Sequence, residues 1–390
     1  MSGPRESSGP VPPRRVAFAR RLLAHQKLRS GVAAAGIAFS LLVIFLQLGF
    51  YRAVVRSATA ISSRLDADLV LVSPRFVHLA EADTIDRARL FQAQGLPEVA
   101  SARPLYLRHA RWRDPVSGER CKFLALGFPL DAGAPLALPE LAARISALAP
   151  SDALLLDEES QRSCGPRDPE GRVELREQAA RVAGRFRLGV GFQADGALLL
   201  SDASFSRYFG ASPLERPQLG LIRLEPGSDA REAALRLRAL LPPDVEVRTR
   251  AELRELQIRH WVRNTAVGNV FALGALAGFA VGLVVLHQVL ATDLRNQLPH
   301  YATLAAMGYA ERRLRGFVLG QAGLLVALAF GPALGGALAL FALVARATRL
   351  PIALSPGLAL GVAALAAAMA AAAALFAVRR LRRADPAELS

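Results

Sequence analysis

Residues 264–292 contain no Lys, Arg, Asp or Glu, and this run constrains the fold more than any other part of the sequence. It is longer than the roughly 20 apolar residues that cross the hydrocarbon core of a bilayer as one helix. Comparable charge-free runs occupy residues 31–51, 316–345 and 351–378. The sequence therefore predicts an α-helical membrane protein with four transmembrane helices.

Positive charge is concentrated beside these runs. Residues 1–30, 293–315 and 379–390 together hold 15 Lys and Arg against 5 Asp and Glu. Because loops rich in Lys and Arg stay in the cytoplasm, we expect a multi-pass protein of the bacterial inner membrane with both termini and the 293–315 loop in the cytoplasm. Residues 1–30 are predicted to begin disordered and to continue as a cytoplasmic interfacial helix that contacts membrane lipids.

The large hydrophilic region, residues 52–263, holds 31 Lys and Arg against 28 Asp and Glu. The formal net charge of +15 therefore comes mainly from the membrane edges, and the sequence gives no reason to expect a nucleic-acid partner. We place residues 52–263 outside the cytoplasm as a periplasmic domain.

This region contains two β–α–β patterns, within residues 68–107 and 219–247. Two such patterns predict an α+β domain with a split βαβ, ferredoxin-like core, and residues 110–215 then form a β-rich inserted lobe. Residues 250–264 are predicted to form a helical stalk that continues into the second membrane span.

The sequence carries no familiar catalytic or nucleotide-binding motif. It has no GxxxxGK[ST], HExxH, CxxC or GxSxG pattern, and its six histidines are scattered along the chain. An acidic run at residues 157–159 is interpreted as a solvated face. We therefore expect no catalytic residue, no metal site and no cofactor bound by this chain.

Two cysteines, Cys121 and Cys164, fall in the predicted periplasmic domain. An oxidising compartment permits a disulfide there, but two thiols alone do not establish one. Ordinary burial of unpaired thiols is the favoured interpretation.

Glycines recur every four residues in the second predicted span, at Gly274, Gly278 and Gly282, and the spacing returns at Gly331 and Gly335 in the third. Glycine at this spacing lets another helix backbone approach closely, although glycine is also simply common in membrane helices. We favour a transmembrane packing face for all five.

Several local phrases resemble the FtsX/MacB superfamily of ABC transporter permeases, and the DevC branch most closely. They are GIAFSLLVIFLQLGFYRA (36–53), DADLVLVSP (66–74), LPEVASARPLYLRHARWRDP (96–115), FQADGALLLSD (192–202), LPHYATLAAMGY (298–309) and LRRADPAEL (381–389). The resemblance implies a non-catalytic, homodimeric permease subunit of an exporter for a lipid, glycolipid or other substrate. It also implies three partners: a separate ABC ATP-binding subunit that holds ATP and Mg, a periplasmic adaptor (membrane fusion protein) and an outer-membrane channel.

The cytoplasmic loop contains a short apolar segment. Pro299 and Gly308 provide helix start and stop signals, and Tyr301, Leu304 and Met307 between them form a ridge. A helix this short needs a partner to bury the ridge, either the membrane surface or, as we favour, the ATPase subunit. The predicted ATPase-coupling residues are Pro299, His300, Tyr301, Thr303, Leu304, Met307, Gly308 and Tyr309.

Two other functions stay open from the sequence. One is an FtsX-like transmembrane signalling protein that controls an extracytoplasmic hydrolase without transport. The other is a membrane-anchored sensor or enzyme whose outer domain binds a ligand, although the sequence shows no cluster of polar groups that would form its site.

Overall fold

The computed structural model describes residues 27–114, 118–161, 163–164, 171–189, 191–296, 311–348 and 350–383. The predicted disordered segment, most of the interfacial helix and most of the cytoplasmic tail lie outside these residues. The chain divides into two compact units. The helical unit comprises Met1–Gly49, Phe271–Phe341 and Leu354–Ser390, and the mixed unit comprises Phe50–Val270 and Ala342–Ala353.

The described residues contain nine α-helices and nine β-strands. The helices are α1 (Lys27–Ala58), α2 (Ala88–Gln94), α3 (Pro139–Ala142), α4 (Asp202–Phe209), α5 (Ala230–Leu240), α6 (Arg250–Arg259), α7 (Ala266–Asn296), α8 (Glu311–Thr348) and α9 (Pro356–Arg383). The strands are β1 (Leu69–Val72), β2 (Val99–Arg113), β3 (Arg120–Phe128), β4 (Ala153–Asp157), β5 (Arg172–Leu175), β6 (Gln178–Phe186), β7 (Gly196–Ser201), β8 (Leu219–Leu224) and β9 (Glu246–Thr249).

Four of these helices, α1, α7, α8 and α9, are long and apolar enough to cross a membrane. Their mean hydropathy over the most apolar segment is 2.2 or 2.3. Each of the four helices continues past the C-terminal end of its charge-free run, because a helix does not need to end where its apolar surface ends. The candidate spans within them are Gly31–Ala58, Ala266–Asn296, Gly316–Thr348 and Pro356–Arg379.

The fourth helix begins at Pro356, later than the predicted start at residue 351. Ser355 acts as its N-cap, since the Ser355 hydroxyl oxygen accepts a hydrogen bond from the Leu358 amide at 3.2 Å. Proline fits the first helical position because its missing N–H has no partner to lose there. Local capping chemistry therefore sets this boundary.

The first lobe of the mixed unit is an antiparallel sheet in the order β2–β8–β1–β9. Helix α2 connects β1 to β2, and α5 connects β8 to β9. The two β–α–β patterns of the sequence therefore share one sheet. Both helices bury apolar side chains against it, including Leu90 and Ala93 from α2 and Ala234 and Leu237 from α5.

The second lobe is built from the residues between β2 and β8 together with the second half of β2. Its strand pairings close into a ring in the order β2–β3–β7–β4–β6–β5 and back to β2. Closure protects the strand edges, which would otherwise offer unpaired backbone groups. Trp112 and Phe123 pack in its core with ring centroids 4.7 Å apart, both almost completely buried.

A disulfide joins Cys121 in β3 to Cys164, with the two Cα atoms 5.9 Å apart. The interpretation of these cysteines as unpaired buried thiols is therefore wrong. The loop after β4 crosses the start of β7, where the Gln161 amide donates to the Asp195 carbonyl at 2.7 Å, and so brings Cys164 to β3. Because the loop and β7 bring the two cysteines together, their spacing in the sequence does not indicate the disulfide.

We expect that replacing both Cys121 and Cys164 with Ser lowers the melting temperature of the detergent-purified chain. The disulfide closes a loop with a sequence separation of 43, and a loop of that length is worth about 4 kcal/mol in the chain-entropy description. Differential scanning fluorimetry measures the effect. A reductant should lower the melting temperature of the wild type and leave the double variant unchanged. Two titratable thiols in the unreduced wild type would contradict the assignment.

Candidate functional site

The glycines of α7 lie against α1. A Cβ built on Gly278 would stand 3.1 Å from Ile44 Cγ1 and 3.4 Å from the Ser40 carbonyl oxygen. A Cβ on Gly274 would collide with the Gln47 side chain. The absence of side chains at these positions therefore lets the two helices approach closely.

Gly282, one turn further along α7, contacts two helices. A Cβ there would stand 2.6 Å from Met369 Sδ in α9 and 3.1 Å from Ser40 Cβ in α1. The structure thus brings all three predicted α7 glycines to helix–helix contacts within the helical unit.

The α8 glycines behave differently. A Cβ on Gly331 or Gly335 would meet nothing within 4 Å, so neither contacts another helix among the described residues. The neighbouring Gly336 faces α1 instead, where its Cβ would stand 3.4 Å from Leu42 Cδ1. Phe330 packs on Phe45 of α1 with ring centroids 5.7 Å apart. Sequence spacing identified a glycine-rich helix but not the face that packs within the chain.

A polar contact that sequence reasoning missed connects α7 and α8. Gln321 is only 5% exposed, and its Nε2 donates to Asp293 Oδ2 at 2.8 Å. Asp293 is the first residue of the predicted cytoplasmic loop, 293–315, but in the structure α7 continues to Asn296. The single glutamine near the start of an apolar run is the signal that could have indicated a partner, because polar side chains in membrane helices usually find one.

The predicted stalk is interrupted before it reaches α7. Helix α6 begins with a capping box, in which Thr249 and Glu252 each satisfy a backbone N–H of the other. After Arg259 the chain forms a π-helical segment, His260–Asn264, and Thr265 is extended with φ −109° and ψ 158°. The expectation of a continuous helical stalk is therefore wrong.

We call residues 260–265 the joint. The Thr265 hydroxyl donates to the Trp261 carbonyl oxygen at 2.6 Å, which satisfies an acceptor left over where the helix ends. Gly268 faces the Val262 carbonyl so closely that any Cβ would collide with it. π-Helical segments such as His260–Asn264 are frequent at functional sites.

Aromatic side chains from three segments meet at the joint. Trp261 lies 5.4 Å from His78 and 4.6 Å from Phe192, measured between ring centroids, and His78 lies 4.9 Å from His260. We call these four residues the joint cluster. Trp261 and His260 lie in the predicted stalk, but the sequence did not indicate the cluster, because His78 and Phe192 reach it only through tertiary folding.

The turn Gly191–Gln193 also contacts the end of α1. The Phe192 amide donates to the Ser57 hydroxyl oxygen at 3.1 Å, and Gln193 Nε2 donates to the Ser57 carbonyl oxygen at 2.6 Å. Gly191 has φ 61° and approaches Ser57 so closely that a Cβ would collide with its side chain. One turn of the mixed unit therefore contacts both the last turn of α1 and the joint that precedes α7.

Burial lowers the pKa of His78, and neighbouring His260 lowers it further, whereas Glu81 acts in the opposite direction. Burial also lowers the pKa of His109, with nearby Lys122 as the next cause. The cause in both cases is the cost of placing a positive charge in a partly desolvated site beside other cationic or titratable groups.

The helices that contain the glycine contacts and the Gln321–Asp293 bond also carry the match to known proteins. Residues 271–386 match the family model of the FtsX-like permease C-terminal region. The C-terminal part of the chain, about a third of its length, is therefore similar to FtsX-like permeases. The matched residues begin within α7 and include all of α8 and α9.

Two solved structures are similar to part of this chain at low sequence identity. The periplasmic region of MacB from Actinobacillus actinomycetemcomitans is 12% identical, with 50% of this chain and 94% of that chain covered and a TM-score of 0.37. The extracellular domain of the noncanonical ABC-type transporter YknZ from Gram-positive bacteria is 12% identical, with 47% and 99% covered and a TM-score of 0.33. No curated protein sequence matches the chain.

The predicted ATPase-coupling residues, which fall between Pro299 and Tyr309, lie outside the described residues. Their role stays a prediction. The described ends that flank them in the chain are Asn296 of α7 and Glu311 of α8.

We expect Gly278→Leu to lower the melting temperature of the detergent-purified chain. A leucine side chain would have to occupy space already taken by Ile44 and the α1 backbone, and such overpacking costs about 1–3 kcal/mol. Gly361→Leu in α9 is the matched control, because nothing lies within 4 Å of its Cβ position. Equal melting temperatures for the two variants would contradict close packing at Gly278.

We expect the stability of the chain to fall as the pH is lowered from about 7.5 to about 5. The folded-state pKa of His78 lies below the ordinary histidine value of about 6.5, so the unfolded chain binds more protons at mildly acidic pH. Its contribution to stability is complete above pH 6.5 and is lost as the pH falls towards the lower folded pKa. His78→Phe retains the aromatic contact and should reduce the pH dependence of the melting temperature. An unchanged pH dependence in the variant would remove His78 as a cause.

Proposed function

We propose that this chain is the permease subunit of a MacB-like ABC exporter, in which movement of the mixed unit is coupled to ATP hydrolysis by a separate subunit. The observation that carries the proposal is the turn Gly191–Gln193, which hydrogen-bonds to Ser57 of α1 and packs on Trp261 of the joint. Two candidate membrane spans thus leave the mixed unit through residues held by the same turn.

This arrangement supports mechanical transmission. The extended residue Thr265 and the π-helical segment before it interrupt the helix between α6 and α7, so α7 can change direction relative to α6 at the joint. The Gln321–Asp293 bond connects α7 to α8 at the other end of α7, beside the predicted coupling loop. A force applied at that loop would therefore reach the joint along α7.

ATP and Mg would be held by a partner ABC ATP-binding subunit, because this sequence contains no phosphate-binding loop of the usual type. The partner would dock on the segment containing Leu304 and Met307. In the same proposal the permease is a homodimer of the DevC branch and works with a periplasmic adaptor and an outer-membrane channel. The proposed substrate is a lipid, a glycolipid or another molecule.

The proposed location is the bacterial inner membrane, with both termini in the cytoplasm and the mixed unit in the periplasm. Two observations support this orientation. The basic residues flank the candidate spans on one predicted side. The Cys121–Cys164 disulfide lies in the mixed unit, and disulfides persist in oxidising compartments.

An FtsX-like signalling protein is the second candidate, since the matched family is that of FtsX-like permeases. It would use the same ATPase subunit and the same joint but would control an extracytoplasmic hydrolase. Co-purification of an adaptor with the ATPase supports the exporter, whereas co-purification of a cell-wall hydrolase in place of the adaptor supports signalling.

We expect the double substitution Leu304→Asp and Met307→Asp to abolish co-purification of the ATPase subunit and export together. Two carboxylates on the predicted ridge would have to be desolvated in the interface, which costs several kcal/mol. Expression and membrane insertion should be unchanged. Ala302→Asp with Ala306→Asp adds the same charge to the same segment on the opposite side of the predicted helix and serves as the control. An intact complex and normal export in the Leu304/Met307 variant would exclude this docking surface.

A further inference from the structure

The outer face of the β2–β3 hairpin carries four cations in two directly opposed pairs. Arg111 faces Lys122, and Arg113 faces Arg120, in the antiparallel register. All four are exposed. We call them the basic face. Trp112 and Cys121 form the strand pair between the two cationic pairs. Their side chains lie on the opposite face of the hairpin, in the buried core.

Such a pairing is unfavourable in the isolated protein. Directly opposed residues on one sheet face have Cβ atoms about 4.5–5.5 Å apart, and like charges at these positions repel. Glu174 lies 3.6 Å from Arg113 and compensates one of the four charges. Within the described part of the chain, Arg111, Arg120 and Lys122 form no ion pair.

A shallow cavity of about 390 Å³ lies over this face and is lined by His109, Arg111, Arg120 and Lys122 on the hairpin, with Asp195 at its edge. The Asp195 carboxylate is already engaged, because it accepts hydrogen bonds from the Lys122 amide at 2.7 Å and from Gln161 Nε2 at 3.0 Å. It therefore fixes the edge of the cavity while the cationic side chains remain available to a ligand.

The floor of the cavity is rigid. Cys121 belongs to β3 between Arg120 and Lys122, and its disulfide to Cys164 fixes this position. The two sulfur atoms lie close to Asp195, but they are bonded to each other and so do not form a metal site with it. The strand pair thus holds the backbone of the cationic residues in place, so ligand binding does not have to order the backbone as well as the side chains.

We propose that the basic face is a binding site for a phosphate-bearing group. Guanidinium groups pair with phosphate oxygens through two parallel hydrogen bonds, and an ammonium adds a compact point charge. The three cations and the Asp195 carboxylate of the lining carry a net charge of about two, which matches a group with two negative charges such as a diphosphate or a phosphomonoester. This site does not depend on the exporter assignment, because an exporter, a signalling protein or a sensor could each carry it.

The test measures ligand binding to the full-length, detergent-purified chain by isothermal titration calorimetry. Inorganic pyrophosphate represents a free phosphate ligand, and dihexanoyl phosphatidic acid represents a lipid headgroup. The test variant is Arg111→Gln with Lys122→Gln, which removes one opposed pair. The control is Arg108→Gln with Arg172→Gln, which removes the same charge from exposed positions outside the cavity lining.

We expect the test variant to bind at least about tenfold more weakly than the wild type, since two charge-assisted hydrogen-bonding groups are lost. The control should remain within about threefold. Preference for pyrophosphate or for the phosphatidic acid identifies the source of the phosphate group, and either result supports the site. The proposal is overturned if neither probe binds the wild type, or if the test and control variants lose affinity equally.

A stability measurement provides an independent readout. Because the opposed cations repel in the absence of a ligand, the test variant should melt at a higher temperature than the wild type in low-salt buffer. Pyrophosphate should raise the melting temperature of the wild type and leave that of the test variant unchanged. A test variant that melts lower than the wild type without ligand would show that these cations stabilise the fold, and would overturn the proposal.

Discussion

Strand β2 is the element on which the mixed unit depends, because it belongs to both of its lobes. Its first half pairs with β8 in the antiparallel sheet, and its second half pairs with β3 and β5 in the ring. Moving one lobe relative to the other therefore requires bending β2 near Leu105 and Tyr106, where its pairing partner changes from β8 to β3. The turn Gly191–Gln193 precedes β7 of the ring, so β2 also connects the sheet to the turn that contacts α1 and the joint.

The membrane helices could be predicted from sequence because their cause is local. A lipid environment requires every backbone polar group to be satisfied within the segment, so a long charge-free run has few alternatives to a helix. The β–α–β patterns could be predicted for a similar reason, since alternating and helical periodicities are properties of neighbouring residues. The predicted ends of the membrane helices were less accurate. The cap at Ser355 moved the start of α9, and α7 continued past the predicted span to include Asp293.

The features that sequence reasoning missed all depend on residues far apart in the chain. Cys121 and Cys164 meet through a loop that crosses β7, and His78, Phe192 and Trp261 meet only after three segments have packed. The interruption at Thr265 is also a tertiary effect. The sequence from Arg250 to Asn264 favours a continuous helix, but packing of the Trp261 ring against His78 and Phe192 competes with continued α-helical winding. The predicted coupling segment is different, because it lies outside the described residues and its role stays a prediction.

The two helix ends that meet the Gly191–Gln193 turn are held by different kinds of contact. Ser57 accepts two hydrogen bonds from the turn, and hydrogen bonds weaken steeply as their geometry changes. Trp261 is held by aromatic contacts, which tolerate sliding because ring pairs are favourable over a range of centroid distances. We therefore expect a displacement of the ring lobe to carry the end of α1 with it, while the joint adjusts by rotation of the Trp261 ring.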